Sequence, residues 1–471
     1  TMTMTTTVHE MFPSSFTVIN FVFFTSLLLC MDVSNTNGIV SEAFVIPDYH
    51  LHTTRLGGTS TPFQRQLSPL FSSPSDDNNN NNNRGGRIDK GFNLLEIASS
   101  IVPQGRIVRT AKESWKFLWL RFMTELAPQD SEGNYRRPAY SAGGGDQTTS
   151  TLGSIQHPIE GNQRYTLYLG NPCPWCHRVK IVVNLLGLET SGLVEVVTLI
   201  DDPVKASRGG WVMPSPSSSS TTSTSASTPT TKQNTPSNIQ DLRELYDYLK
   251  PGFKGRCTAP LLVDWKSRSI VSNESKDIVR MLPLLLDCLS TSDEETDKKK
   301  KKKNSSSTKY NIDLYPSHLQ SSIDEQNGWI YEKLSNGVYR CGFGTTQKAI
   351  NNASQDVLEG LERCEAILSK QAFMCSDDTL TESDVMLLPT MLRYDGVYSP
   401  LFKAGGTHIR LECDYPSIFA WLQRCWNDVP GVSKSIDLTD ACHSYYKQLF
   451  PLNPSGILPA PITPKALRLE K

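Results

Sequence analysis

The chain has 471 residues, and its 47 Lys+Arg against 48 Asp+Glu leave a formal charge of -1, a balance that excludes a chain-wide basic footprint for nucleic acid or an acidic membrane. At roughly 150 residues per domain the length allows about three domains, but a hydrophobic share of 38% marks part of the chain as unpacked polar sequence. Eleven cysteines are too sparse for a disulfide scaffold, and their odd number leaves a thiol unpaired, which points to a reducing compartment for the mature protein.

The first element in chain order is the apolar run FTVINFVFFTSLLLCM over 16–31, interrupted by Asn20. It is short for a membrane span and suits the apolar core of a signal peptide. Ser41-Glu42-Ala43 places small residues at -3 and -1 of a cleavage site before Phe44. The stretch 44–88 that follows is rich in Ser, Thr, Arg and Asn and poor in acids, the composition of a transit peptide. Signal then transit, with Ser41-Glu42-Ala43-Phe44 at the junction, resembles the two-part plastid presequence of algae whose plastids lie inside the endomembrane system. That resemblance implies delivery to the chloroplast stroma. The secretory pathway is the alternative, because the segment before the apolar run carries His9 and Glu10 but no Lys or Arg.

Three polar tracts punctuate the remainder: 78–83, 214–237 and 293–303. None can form a core. The lysine run that ends the last tract follows Asp293, Glu294, Glu295 and Asp297 and has no aromatic neighbours, so it reads as a solvated linker rather than a nucleic-acid patch. The tracts delimit an N-terminal extension (89–146), a first module (164–289, with 214–237 as a disordered insertion), a charged linker (290–309) and a second module (310–463).

In the first module, Tyr165 to Gly170 has strand composition, Asn171-Pro172 breaks it, and Cys173-Pro174-Trp175-Cys176-His177-Arg178 opens the apolar run 179–188. Val194 to Ile200 predicts a second strand, 259–263 with 269–271 a hairpin, and 275–286 a helix. This βαβ then ββα order, with C-x-x-C after the first strand, is the thioredoxin-like arrangement. Cys173 falls at a helix start, where unpaired amides and the positive end of the dipole favour thiolate over thiol. Pro174 suits the first turn, which needs no amide from it. Cys176, one turn deeper, is the candidate resolving thiol. One C-x-x-C beside His177 lacks a second ligand pair at metal spacing, so no metal is expected. Thr258-Ala259-Pro260 precedes the hairpin; in thioredoxin-like folds such a proline is typically cis and faces the active cysteine, with the preceding backbone free to bond a peptide. Glu274 and Ser275 begin a helix whose first amides can hold a carboxylate.

In the second module, Ala349, Ala353, Val357, Leu361, Cys364 and Leu368 recur at helical spacing, and Thr381-Glu382-Ser383-Asp384 forms a capping box flanked by the staple pair Leu380 and Val385. An all-helical module is expected. A thioredoxin-like module followed by a helical one resembles the glutathione transferase superfamily. Asn171 to Arg178, Arg208-Gly209-Gly210-Trp211, Ser272 to Ser275, Asn336 to Phe343, Arg393 to Tyr398 and Asn453 to Ile457 resemble its xi class, the glutathionyl-hydroquinone reductases. Thr124 to Asp130 resembles the plastid-type plant and algal relatives, here with a Cys-Pro-Trp-Cys motif.

The resemblance implies a cysteine-type, glutathione-dependent enzyme. It makes Cys173 the nucleophile, places Trp211, Ala259, Pro260, Glu274 and Ser275 on glutathione, and sets Tyr339 with one of Tyr445 and Tyr446 at the aromatic substrate. Glutathione and aromatic hydroquinone or quinone conjugates are the implied partners and a homodimer the implied assembly, with no metal, no nucleic acid and no membrane for the mature form. Many xi members have Ala where this chain has Cys176, and commonly Val where it has Ala259. A glutaredoxin- or omega-like dithiol oxidoreductase, acting on dehydroascorbate or protein-glutathione disulfides, therefore stays open, as does a non-catalytic protein that binds aromatic ligands.

Overall fold

The computed structural model describes residues 103–137, 164–207, 209–214, 234–286 and 313–470. The signal and transit segments, the charged linker and nearly all of the Ser/Thr-rich insertion lie outside the described residues.

Chain order begins with a long helix α1 (Gln104–Leu126). It is held along one edge: Met123 is buried, Trp119 Nε1 donates to the Pro451 carbonyl at 3.0 Å, and Phe122 meets Phe450 edge to face at 5.6 Å. A strap over 127–137 follows. Asp130 accepts from the amides of Glu132 and Asn134, both at 3.0 Å, and so folds the strap into a tight turn around Gly133. Gly133 has φ of +79°, its carbonyl accepts from the Thr345 amide at 3.0 Å, and a Cβ there would sit 2.7 Å from the Thr345 and Thr346 side chains. Only glycine fits the clamp.

The first module is a five-stranded sheet of order β3-β2-β1-β4-β5. Its strands are β1 (Tyr165–Gly170), β2 (Val194–Asp201), β3 (Trp211–Val212), β4 (Leu261–Asp264) and β5 (Ser269–Ser272). β1 and β2 pair in parallel, as the intervening helix α2 (Pro174–Leu186) requires, and the other pairings are antiparallel. Every residue of the central β1 is buried, which is why the sequence there reads as a run rather than an alternation. Gly187 ends α2 in the left-handed conformation. Helix α3 (Leu242–Leu249) covers the sheet with Leu242, Leu245 and Tyr246. The helix expected over 275–286 is shorter: α4 spans Ser275–Met281 and breaks at Leu282-Pro283. Proline has no amide to continue the ladder and its ring clashes with the preceding turn.

The second module is helical. α5 (Gln320–Trp329) runs through a π-helical stretch, Ile330–Ser335, into α6 (Gly337–Phe343) and α7 (Gln347–Leu368). The wholly buried α8 (Glu382–Arg393) continues into a second π-helical stretch, Tyr394–Tyr398, before α9 (Leu411–Asp414), α10 (Pro416–Asp428) and α11 (Leu438–Gln448). The capping box is present, with Asp384 accepting from the Thr381 amide at 2.9 Å. No helix among the described residues is long and apolar enough to cross a membrane.

The motif that carries Cys173 also binds the modules together. Arg178 is buried and donates to Ser335 Oγ at 2.8 Å and to the Met386 carbonyl at 2.9 Å. His177 is buried between Arg393 Nη1 at 3.1 Å and Ser435 Oγ at 2.8 Å. Arg393 only donates, so Nδ1 accepts and Nε2 carries the proton. Burial and the Arg393 charge hold this imidazole neutral by pushing it well below its ordinary value. Asn171 completes the junction, donating to Asp440 Oδ2 at 2.8 Å and accepting from the Asp437 amide at 3.1 Å.

Candidate active site

Cys173 is the N-cap of α2 and Pro174 its first residue. The cap has extended backbone, so the sulfur turns over the end of the helix and accepts from the Cys176 amide at 3.4 Å. The thiol also lies 3.6 Å from the Ala259 carbonyl, beside the cis Ala259-Pro260 bond. Cys173 is half-buried and Cys176 buried. Burial pushes the Cys173 thiol up. Hydrogen bonds from the Cys176 thiol and amide, the charge of Arg137 and the Trp175 amide outweigh it and bring the group down to about 7. Burial and the neighbouring Cys173 push Cys176 the other way, well above its ordinary value. The pair is therefore one nucleophile and one proton-bearing neighbour.

The remaining first-module candidates surround this helix start. Trp211 lies flat against Gly170: a Cβ on Gly170 would fall 2.2 Å from its ring, so the close approach depends on glycine. Glu274 is the exposed N-cap of α4, and the buried Ser275 follows it. Glu274 makes no side-chain cap bond to its own helix, and its charge is felt at Arg178.

From the second module, Tyr339 on α6 faces the cysteine and stacks on Trp175 with ring centroids 6.4 Å apart. Its hydroxyl lies 2.8 Å from that of Tyr445 and 3.5 Å from that of Tyr398, and Tyr445 and Tyr398 are 3.1 Å apart. Burial first, and the neighbouring phenols after it, push Tyr339 and Tyr445 well above the ordinary tyrosine value. All three phenols hold their protons at neutral pH and form a hydrogen-bonded relay whose Tyr339 end stacks on Trp175. The structure parts the two C-terminal tyrosines: Tyr446 turns away and donates to the Gly396 carbonyl at 2.9 Å. Adjacent helical residues point about 100° apart, so both cannot enter one cluster.

Two residues escaped sequence reasoning. Tyr398 was visible only inside a motif, with nothing local to mark it as a member of the cluster. Arg137, on the strap, places its guanidinium 3.6 Å from the centre of the Trp175 ring. Among the described residues no three His, Cys, Asp or Glu side chains gather as a metal site.

Comparison with known proteins gives two matching family models: "Glutathione S-transferase, N-terminal domain" over 172–284 and "Glutathione S-transferase, C-terminal domain" over 347–424. The chain is 33% identical over 318 residues to the glutathionyl-hydroquinone reductase YqjG of Escherichia coli, covering 68% of this chain and 84% of that one. It is 31% identical over 296 residues to the glutathionyl-hydroquinone reductase PcpF of Sphingobium chlorophenolicum, covering 63% and 82%. Among solved structures, the Xi glutathione transferase of Phanerochaete chrysosporium aligns with a TM-score of 0.54 at 29% identity, covering 71% of this chain and 95% of that one. Glutathione-bound YqjG aligns with a TM-score of 0.51 at 32% identity, covering 64% and 86%.

Proposed function

The chain belongs to the glutathione transferase superfamily, with relatives in its xi class, and from that premise we propose that it is a glutathione-dependent reductase that removes glutathione from aromatic hydroquinone conjugates. The observation that carries this reading is geometric: Cys173 caps α2 with its sulfur on the Cys176 amide, and Trp175 of the same turn stacks on Tyr339, the end of a hydrogen-bonded set of three phenols.

Cys173 thiolate attacks the sulfur of the bound conjugate. A Cys173-glutathione disulfide forms, the sulfur–arene bond breaks, and its electron pair passes to the ring carbon, which takes a proton from Tyr339 within the relay. The arene is thereby reduced by two electrons and the two sulfurs oxidised. A second glutathione, as thiolate, then attacks the mixed disulfide, releases oxidised glutathione and returns Cys173 as thiolate. A low pKa serves both steps, since the sulfur must attack and later leave. Trp211, Ala259, Pro260, Glu274 and Ser275 hold the glutathione moiety.

The dithiol reading draws on the Cys176 thiol lying against Cys173. Its burial and retained proton make it a poor attacker of a mixed disulfide beside free glutathione. Assays with glutathionyl-menadiol, dehydroascorbate and a glutathionylated peptide separate the two enzymes from a ligand-binding protein. Cys173→Ser should abolish glutathionyl-menadiol reduction while leaving the fold intact, because a serine hydroxyl is a poor nucleophile at neutral pH; activity within a few-fold of the parent would overturn the mechanism.

The plastid-type subgroup, the chloroplast stroma as the place of action and a homodimer complete the proposal. The acid-poor Ser/Thr/Arg-rich stretch after the apolar run supports the location, and Thr124 to Asp130 the subgroup. A reporter fused to 1–87 should reach the stroma and stop short of it with Phe44→Ala, and sedimentation equilibrium of the mature enzyme should give twice the chain mass. Secretion of the reporter, or a monomer, would overturn these parts.

A further inference from the structure

Arg137 is half-buried and has no carboxylate partner within ion-pair distance among the described residues. Its guanidinium is fixed over Trp175, two residues beyond Cys173 and in the first turn of α2, so its charge bears on the cysteine sulfur. The placement is built in. The strap is locked by Gly133 against Thr345 and Thr346, by Gln129 Nε2 donating to the Phe343 carbonyl at 3.0 Å, and by Tyr135 against the Phe343 ring at 5.4 Å.

We propose that Arg137 is a positioning residue of this active site: the extension delivers a cation that stabilises the Cys173 sulfur as an anion when it attacks and again when it leaves. The inference rests on Cys173 being the nucleophile of the proposed reaction. It makes the extension part of the catalytic apparatus, although it lies outside both matched family models. The other titratable groups that face Cys173 are Cys176 and Arg178 on its own helix and Tyr339 on α6, with Glu274 and Tyr331 set against Arg178. Arg178 also lies over Trp175, at 4.4 Å from the ring centre, but it is buried and tied to Ser335 and Met386 of the second module. Arg137 is the second cation at the same ring, and the one that the extension adds.

The test is the pH profile of Cys173 alkylation by iodoacetamide in the full-length mature enzyme, read by peptide mass, which requires no knowledge of the physiological substrate. Arg137→Gln should slow alkylation about threefold or more at pH near 6.5 and leave the alkaline plateau within about twofold, moving the acid limb to higher pH. Arg137→Lys should restore most of the difference, a rescue that a purely structural arginine would not show. Gly133→Val, which changes no side chain of the site but displaces the strap that carries Arg137, should reproduce the shift. Coincident acid limbs for Arg137→Gln and the parent would overturn the proposal. So would a raised KM for the conjugate without a moved limb, which would assign the cation to a substrate anion. Absence of glutathionyl-hydroquinone reduction in the parent and every variant alike, with the alkylation shift retained, would overturn the reaction and support the stabilisation of the Cys173 anion by Arg137.

Discussion

Replacing Cys176 by Ala isolates one contribution to the reactivity of Cys173. The substitution removes the thiol whose hydrogen bond is the leading influence holding Cys173 down, and leaves the residue 176 amide in place at 3.4 Å. Hydrogen bonds to charged acceptors contribute about 1.5–3 kcal/mol, and a thiol is a weak donor, so about 1 kcal/mol is the fitting magnitude. At about 1.4 kcal/mol per tenfold, this lowers the thiolate-to-thiol ratio about fivefold. From a parent value of about 7, thiolate makes up about one molecule in ten at pH 6; in the variant it falls to about one in fifty. The sign is fixed: protonation removes the nucleophile, so the acid limb of the alkylation profile moves to higher pH. The alkaline plateau should hold or rise slightly, because a more basic thiolate attacks faster once formed. Turnover with glutathionyl-menadiol should persist, since free glutathione completes the cycle. Iodoacetamide alkylation followed on the Cys173 peptide measures the limb. An unmoved or acid-shifted limb would refute the assignment of the Cys176 thiol as donor, and a stable Cys173-glutathione adduct with loss of turnover would favour the dithiol enzyme.

The two C-terminal tyrosines should behave oppositely. Tyr445→Phe takes the hydroxyl bridging Tyr339 and Tyr398 out of the relay and should lower hydroquinone turnover by about ten- to a hundredfold, whereas Tyr446→Phe, whose hydroxyl serves only the Gly396 carbonyl, should stay within about twofold; equal effects in matched assays would refute the relay. Asp384→Ala should destabilise the protein by about 3–5 kcal/mol in urea unfolding, because its buried carboxylate accepts from the Met374 and Thr381 amides, the Thr381 hydroxyl and Trp421 Nε1. A loss below about 1 kcal/mol would show those donors finding other partners.

What the sequence revealed follows the range of the forces involved. The strand, loop and helix around Cys173, the hairpin and the Thr381 box each rest on periodicity and caps within about ten residues, and the structure reproduces them. Helix α3 was legible in principle: Asp241 caps it by accepting from the Glu244 amide at 2.9 Å, with Glu244 reaching back to the Gln240 amide. The Ser/Thr-rich tract ending beside it hid that signal. Pro283 lies inside the run 275–286 and ends α4 short of the helix that the spacing predicts. The π-helical stretches that turn Tyr331 and Tyr398 have no distinct periodicity to read. Tyr398 joins Tyr339 across 59 residues and Tyr445 across 47, and Arg137 reaches Trp175 from an extension whose docking no local pattern encodes. Such contacts are decided by tertiary packing alone.

The junction through Asn171, His177 and Arg178 limits how the site can admit its substrates. Parting the modules would break the bonds of Arg178 to Ser335 and Met386, of His177 to Arg393 and Ser435, and of Asn171 to Asp437 and Asp440, and such bonds contribute about 0.5–1.5 kcal/mol each, more where a charge takes part, so the parted form is a minor one. The junction behind the nucleophile is thus a fixed seam. Bulky conjugates must be accommodated among Trp175, Tyr339 and Arg137, and not by widening behind the nucleophile. A chimera that exchanges the first module for a relative's would have to bring in side chains that answer Ser335, Met386, Arg393 and Ser435 as Arg178 and His177 do, since the turn of helix that carries the nucleophile is also the one that ties the modules together.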